Sequence, residues 1–351
     1  MKSSINIVYY FLFLAFLLPS CNDKVPVVEE DPLKVYVLDP PIDKIPYDVL
    51  GSGKIVFNRI HAYNFNSNGF YVLDIDKKTA NGFRFSSQAT QPSISPDGTR
   101  IASSFLLNSV GSSNGWDIYL MNIDGSNCYP IFQSTGMSEF PSWTTDGSKI
   151  LFYVYGNESP LYIQSPVLNP TDRKELIKFS YSNDPGWMIN PLGGFSISPQ
   201  GLVIFGGCAG DLCGILRIDP YRGKNGVSRL LPFSDSEGVS NPVFSPDGLQ
   251  IAFMTSGVDS LSTWVGVKIM NTDATNINSL CRVRTYKYPV QYMGVHRSIS
   301  ICWSPDGTKI LFTAPLEEYG YHLFVINTDG TGLTQVTDDV KACDLDVSWS
   351  R

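Results

Sequence analysis

Charge is scarce in this chain of 351 residues and histidine scarcer: 17% of the residues are Asp, Glu, Lys or Arg, and three are histidine. The 26 Lys and Arg fall short of the 33 Asp and Glu. That balance leaves no basic surface to neutralise phosphates, so nucleic acid is excluded as the expected partner. Three histidines, His61, His296 and His322, with no His-Glu-x-x-His run, exclude a dense zinc site. No phosphate-cradling Gly-rich loop precedes a helical pattern. Gly206-Gly207-Cys208-Ala209-Gly210 lies between two strand patterns and reads as a hairpin. No cofactor, metal or catalytic residue is therefore expected. A site assembled from remote loops leaves no local motif, so an enzyme loses weight without being excluded. The apolar run at the amino terminus, Val8 to Leu18, is well short of the ~20 residues that cross a bilayer.

What is plentiful is turn and strand material: 30 Gly, 23 Pro and 13% aromatic residues, the composition of many short strands joined by tight turns. The short apolar run follows Lys2 and reads as the core of a signal peptide over residues 1–20. Directly after it, Leu18-Pro19-Ser20-Cys21 resembles the lipobox of bacterial lipoproteins. That resemblance implies cleavage before Cys21 and lipidation of its thiol, hence a membrane partner through the lipid. The alternatives are a plain secretory signal or a retained membrane helix. Residues 21–50 hold five prolines, Pro26, Pro32, Pro40, Pro41 and Pro46, with no helical period, and read as an extended tether.

Residues 51–351 repeat one unit. The turn Ser-Pro-Asp-Gly stands at Ser95-Pro96-Asp97-Gly98, Ser245-Pro246-Asp247-Gly248 and Ser304-Pro305-Asp306-Gly307. Variants occur at Thr144-Thr145-Asp146-Gly147 and Ser198-Pro199-Gln200-Gly201. Pro presets φ, Asp bonds the local backbone and Gly takes the left-handed conformation that closes a strand pair. An apolar anchor precedes each turn, at Ile94, Trp143, Ile197, Phe244 and Trp303, and Trp349 continues the series roughly every 50 residues. The three anchor tryptophans are expected in the core between units. Each repeat predicts four strands.

The fold class expected is therefore all-β: a six-bladed β-propeller of four-stranded antiparallel blades, with seven blades as the coarser alternative. Its last blade is split, with the carboxy-terminal strand at Asp346 to Ser350 and the partner strand at Gly53 to Phe57, so that the two termini close the ring. The repeats resemble those of TolB-like proteins, a repeat shared with the propellers of prolyl-oligopeptidase-type peptidases and of oligogalacturonate lyase. The resemblance covers about residues 51–351 and implies the propeller, without any one function. The lyase family's metal cluster of histidines and a Gln is not carried over, because His61 and His296 alone fall near the expected site.

Pro-Asp-Gly and Asp-Gly turns fall on one face of the expected ring, and the long irregular loops on the other. Binding concentrates on long loops held by a rigid scaffold. The candidate binding residues on that face are His61, Tyr63, Trp116, Glu139, Glu158, His296, Arg297, Glu317, Glu318, Asp344 and Asp346. For any one of them, a carboxylate or arginine satisfying loop backbone and facing water is the competing reading. Asp344 and Asp346, two apart on a strand, are expected to share one side as a solvated pair, with a cation site as the alternative. His322 opens a third strand, where a structural hydrogen bond is expected. Six cysteines follow Cys21. Cys208 and Cys213 flank a four-residue loop and are the disulfide candidate, whereas Cys302 takes a small-residue slot held elsewhere by serine and is expected as a buried thiol.

The expected function is a lipid-anchored module of the cell envelope, at the outer membrane on its periplasmic or exposed side, that binds a protein or glycan partner without catalysis. The alternative is a carbohydrate-active lyase or hydrolase.

Overall fold

The computed structural model describes residues 31–351 apart from 40–43, 62–67, 107–114, 134–135, 156–157, 165–172, 181–188, 210–211, 220–221, 223–225, 233–236, 259–261, 286–299 and 317–319. Residues 1–20, read as a signal peptide, and Cys21 lie outside the described residues.

Among the described residues the chain is all-β apart from one helical turn, α1 (Tyr47–Leu50). Strand β1 (Val35–Leu38) pairs with β4 (Thr79–Phe85), which follows β2 (Lys54–His61) and β3 (Gly69–Asp74) in one antiparallel sheet. Four four-stranded antiparallel sheets come next. They are β5 (Gln88–Ile94), β6 (Arg100–Leu106), β7 (Trp116–Asn122) and β8 (Tyr129–Phe132); β9 (Met137–Trp143), β10 (Ile150–Tyr155), β11 (Glu158–Gln164) and β12 (Lys174–Ser180); β13 (Ile189–Ile197), β14 (Val203–Ala209), β15 (Leu212–Ile218) and β16 (Val227–Pro232); and β17 (Gly238–Phe244), β18 (Gln250–Val258), β19 (Thr263–Asn271) and β20 (Asn278–Thr285). The chain ends in β21 (Ile301–Trp303), β22 (Lys309–Pro315), β23 (Tyr321–Asn327), β24 (Thr334–Gln335) and β25 (Ala342–Ser350). These join the first sheet, because β25 pairs antiparallel with β2. Repeated four-stranded antiparallel sheets, each with its first strand turned inward, are the blades of a β-propeller.

The turn chemistry explains why each blade's first two strands pair where they do. At Ser95-Pro96-Asp97-Gly98, Gly98 sits at φ 67° and its N–H donates to Ser95 O at 2.8 Å. The Asp97 carboxylate accepts from the Ser95 hydroxyl and from Thr99 N at 3.1 Å. Ser245 and Ser304 repeat the pattern, and Thr144 supplies the hydroxyl in the second blade. Where Gln200 replaces Asp, Leu202 N still donates to Ser198 Oγ at 3.2 Å.

Apolar faces of neighbouring sheets meet in the core. Phe140, Tyr153 and Leu161 pack with Phe195, Phe205 and Leu216, for example, and Val56, Phe70 and Phe83 with Ile101, Phe105 and Tyr119. Trp143, Trp303 and Trp349 are 6–8% exposed, within this core. Their indole N–H groups donate to Ser93 O, Val243 O and Ser52 O at 3.0, 3.1 and 3.0 Å.

Residues 21–50, read as tether, are partly folded. β1 adds a fifth strand outside β4, and Ile45, Tyr47 and Leu50 pack onto the cluster around Trp349. The apolar spacing here is too short to show a period, yet it suffices to dock against an existing sheet edge.

Candidate functional site

The inner strands β5, β9, β13, β17, β21 and β25 surround two cavities that share Ser93, Ser142, Val243, Cys302 and Ser348. The larger, about 370 Å³, opens among the Pro-Asp-Gly turns and reaches Pro96, Pro246 and Pro305. The smaller, about 190 Å³, is lined by Gln91, Phe140, Gly194, Asn241, Ser300 and Asp346. Each of those six lies three residues before its anchor.

Their backbone makes the site. Gln91, Phe140, Asn241 and Asp346 are left-handed, at φ 55°, 59°, 50° and 53°, and the strand register shifts beside each of them. These are β-bulges, in which one extra residue bends the strand and re-aims a side chain. Among the described residues the inner strands make no ladder pairs with one another, and side chains at and beside the bulges connect them. Gln91 N donates to Asp346 Oδ2 at 3.3 Å, Phe140 N donates to Gln91 Oε1 at 2.9 Å, and Val347 N donates to Ser300 Oγ at 2.6 Å. One level nearer the turns, Ile94 N donates to Ser348 Oγ and Phe244 N to Ser196 Oγ, at 3.2 and 3.0 Å.

Asp346 is the electrostatic centre of this level. Burial pushes its carboxyl up to about 7, the Glu139 charge adds to the rise, and hydrogen bonds from Gln91 N and the Asn58 side chain oppose it. It therefore changes charge near neutrality.

Asp344 does something else. It is fully buried and accepts a two-pronged hydrogen bond from Arg59, Nε to Oδ1 at 2.6 Å and Nη2 to Oδ2 at 2.7 Å. The guanidinium also lies 5.5 and 5.3 Å from the ring centres of Phe57 and Tyr71. Asp344 and Asp346 are thus not a solvated pair on one side of a strand, because the bulge at Asp346 breaks the alternation on which that expectation rested.

The other candidates are spread out. His61 ends β2 with Nε2 3.7 Å from Asp339 Oδ2, and its backbone N–H donates to Asn68 Oδ1 at 2.7 Å. Half-buried Trp116 opens β7, and Glu158 opens β11. Tyr63, His296, Arg297, Glu317 and Glu318 lie outside the described residues. His322 is buried, and its Nδ1 has no hydrogen-bond partner among the described residues. Among the described residues no group of three or more His, Cys, Asp or Glu side chains could hold a metal ion. Gly111-Ser112-Ser113-Asn114-Gly115 spells Gly-x-Ser-x-Gly; residues 111–114 lie outside the described residues, and the element that follows is strand β7, whereas a helix follows a nucleophile elbow.

Sequence reasoning missed Gln91, Asn241, Asn58 and Arg59. The first two carried a signal: Gln91-Pro92, Phe140-Pro141 and Asn241-Pro242 set the same residue-proline step at the same distance before an anchor.

No family model matches the chain, and no curated protein matches it. Among solved structures, TolB from Acinetobacter baumannii is similar at 15% identity and TM-score 0.49, over 88% of this chain and 75% of that one. An oligogalacturonate lyase from Vibrio parahaemolyticus is similar at 11% identity and TM-score 0.44, over 83% and 87%. The β-propeller domain of the Trilobed protease from Pyrococcus furiosus is similar at 13% identity and TM-score 0.46, over 87% and 84%. The propeller architecture rests on the chain's own strand pairing.

Proposed function

We propose that this chain is a lipid-anchored propeller of the cell envelope, six blades closed by its two terminal segments, which binds a protein or glycan partner on its long-loop face without catalysing a reaction. Six inner strands around the cavities and the pairing of β2 with β25 support the blade count and the closure. In this reading the nine-stranded sheet is two blades, β2–β4 with β25 and β21–β24, plus the added β1.

The observation that carries the binding face is the difference between the two ends of the blades. On the turn side, Asp97, Asp146, Asp247 and Asp306 spend their carboxylates on their own turns, leaving little for a partner. At the other end stand the long connections, half-buried Trp116 and Glu139, and the titrating Asp346.

The test compares variants in affinity capture from envelope membranes. Trp116→Ala and Arg297→Glu should each weaken partner retention by more than about 1 kcal/mol, the scale of central interface residues. Asp247→Asn should leave retention intact. Loss through Asp247→Asn with no effect of the other two assigns the working face to the turns.

A further inference from the structure

The six cysteines beyond Cys21 do not stand in equivalent positions. Cys128 just before the outer strand β8, Cys281 in β20, and Cys302 and Cys343 in the inner strands β21 and β25 are present as thiols, with no disulfide among them. Burial pushes the Cys128 thiol up to about 12 and the Cys281 thiol to about 11, and also raises Cys302 and Cys343. Such thiols are poor nucleophiles.

Cys208 and Cys213 are placed differently. Strands β14 and β15 run in unbroken register from Val203 opposite Ile218 to Ala209 opposite Leu212, and Cys208 is the direct partner of Cys213. The four residues expected as a loop are therefore two strand residues, Ala209 and Leu212, with only positions 210 and 211 between them. In a two-residue hairpin the closing pair exchanges the backbone hydrogen bonds, so the next pair inward occupies a non-hydrogen-bonded position. At such positions opposite Cα atoms stand ~4.5 Å apart, inside the ~4.4–6.8 Å range that a disulfide spans.

The neighbouring pair explains what a covalent link would add. Gly207 faces Gly214, at φ 149° and 139°, conformations that side chains rarely adopt. A β-hairpin gains its local stability from cross-strand side-chain pairs, and this pair has none to give.

We propose that Cys208 and Cys213 form a disulfide that clips the β14–β15 hairpin, the connection this blade presents on the long-loop face. A Cys208 or Cys213 thiolate attacks a disulfide oxidant such as oxidised glutathione, forming a mixed disulfide and releasing one glutathione thiol. The second cysteine, also deprotonated, attacks the cysteine sulfur of that mixed disulfide and releases the other. Two electrons and two protons pass to the oxidant, and one sulfur–sulfur bond is made for the one broken.

Peptide mapping tests this on full-length protein incubated with a reduced and oxidised glutathione mixture, denatured, alkylated, reduced and alkylated with a second reagent. Cys128, Cys281, Cys302 and Cys343 should carry the first label, and Cys208 and Cys213 the second. A Cys208→Ser variant should move Cys213 to the first label. First-label alkylation of both Cys208 and Cys213 in the parent, or a link from either to another cysteine, overturns the proposal. The same map on protein taken directly from the envelope separates the clip from its location: a bridge formed in glutathione but absent there tells against the export reading and leaves the clip standing.

Discussion

Asp346 and Asp247 are the same side chain in opposite electrostatic positions. The Ser245 hydroxyl and Leu249 N donate to Asp247 and hold its carboxyl below the usual range. A lowered folded pKa contributes stability above the unfolded pKa of ~4, and that contribution disappears as pH falls through the folded value. Asp346 has the reverse sign. Its folded form holds the proton up to about 7, so charging it removes stability as pH rises from the unfolded pKa to that value. Asp346→Asn stays neutral and tolerates the left-handed backbone. Its denaturation midpoint should match the parent near pH ~4 and exceed it increasingly toward pH ~7. Asp247→Asn should lose stability at neutral pH and regain parity in acid. Pair profiles that are flat with pH would remove both assignments. Ala274, at φ 65°, occupies the turn position held by Gly125 and Gly330 elsewhere. Left-handed backbone costs an L residue ~1–2 kcal/mol, and glycine gives back ~0.5–1 kcal/mol in chain entropy. Its side chain packs against the cluster that holds Ile204, Ile215 and Phe253, so Ala274→Gly should stabilise by at most ~0.5–1 kcal/mol in urea unfolding; a loss would show that this packing outweighs the backbone relief. The Pro-Asp-Gly turns were legible in the sequence because every residue in them acts on its near neighbours. The contact Gln91 makes was not, because its partner Asp346 lies 255 positions away, and the two-apart rule failed at Asp344 because a bulge is invisible to a period-two count.

The pairing of β2 with β25 joins chain segments from opposite ends of the molecule, and Arg59 with Asp344 stands in the middle of it, as register partners. Both side chains are at most 1% exposed. A buried pair of this kind is satisfied in one register only, since a slip would strand two charges in the core. Trp349 lies farther along the same strand, opposite Ile55, and is 8% exposed. Deleting Asp346 to Arg351 removes that aromatic, a loss of ~3–5 kcal/mol before any ladder bonds are counted. The truncated protein should melt well below the parent, and an unchanged melting temperature would overturn closure through this strand. The strand pair itself was foreseen from the missing anchor at one terminus and the orphaned strand at the other. The Arg59 pairing was not, because one arginine in a strand carries no pattern. The strand β1 was missed for a related reason: four residues, Val35 to Leu38, hold their place only because β4 offers an edge.

At the scale of the whole molecule the proposal joins a ring to a lipid. Metabolic labelling with a fatty-acid analogue should mark the parent and fail to mark Cys21→Ala; equal labelling, or none in either, removes the anchor. Strand β1 then acquires a mechanical meaning. It is joined to β4 by four register pairs, Val35 with Phe85 through Leu38 with Gly82, and Pro32 and Lys34 just before it accept hydrogen bonds from Ser87 and Ser86. Tension applied from the amino-terminal side first meets Pro32 and Lys34, whose carbonyls accept from Ser87 and Ser86 N–H at 3.2 Å each, and then opens the register pairs from Val35 onward, in the manner of a zip. The clasp of β2 and β25 lies farther along the chain and bears no load until they have parted. Their release would lengthen the leash by the residues of β1 and those between it and α1, so a drag on the bound partner is absorbed by this short edge pairing before it reaches the clasp.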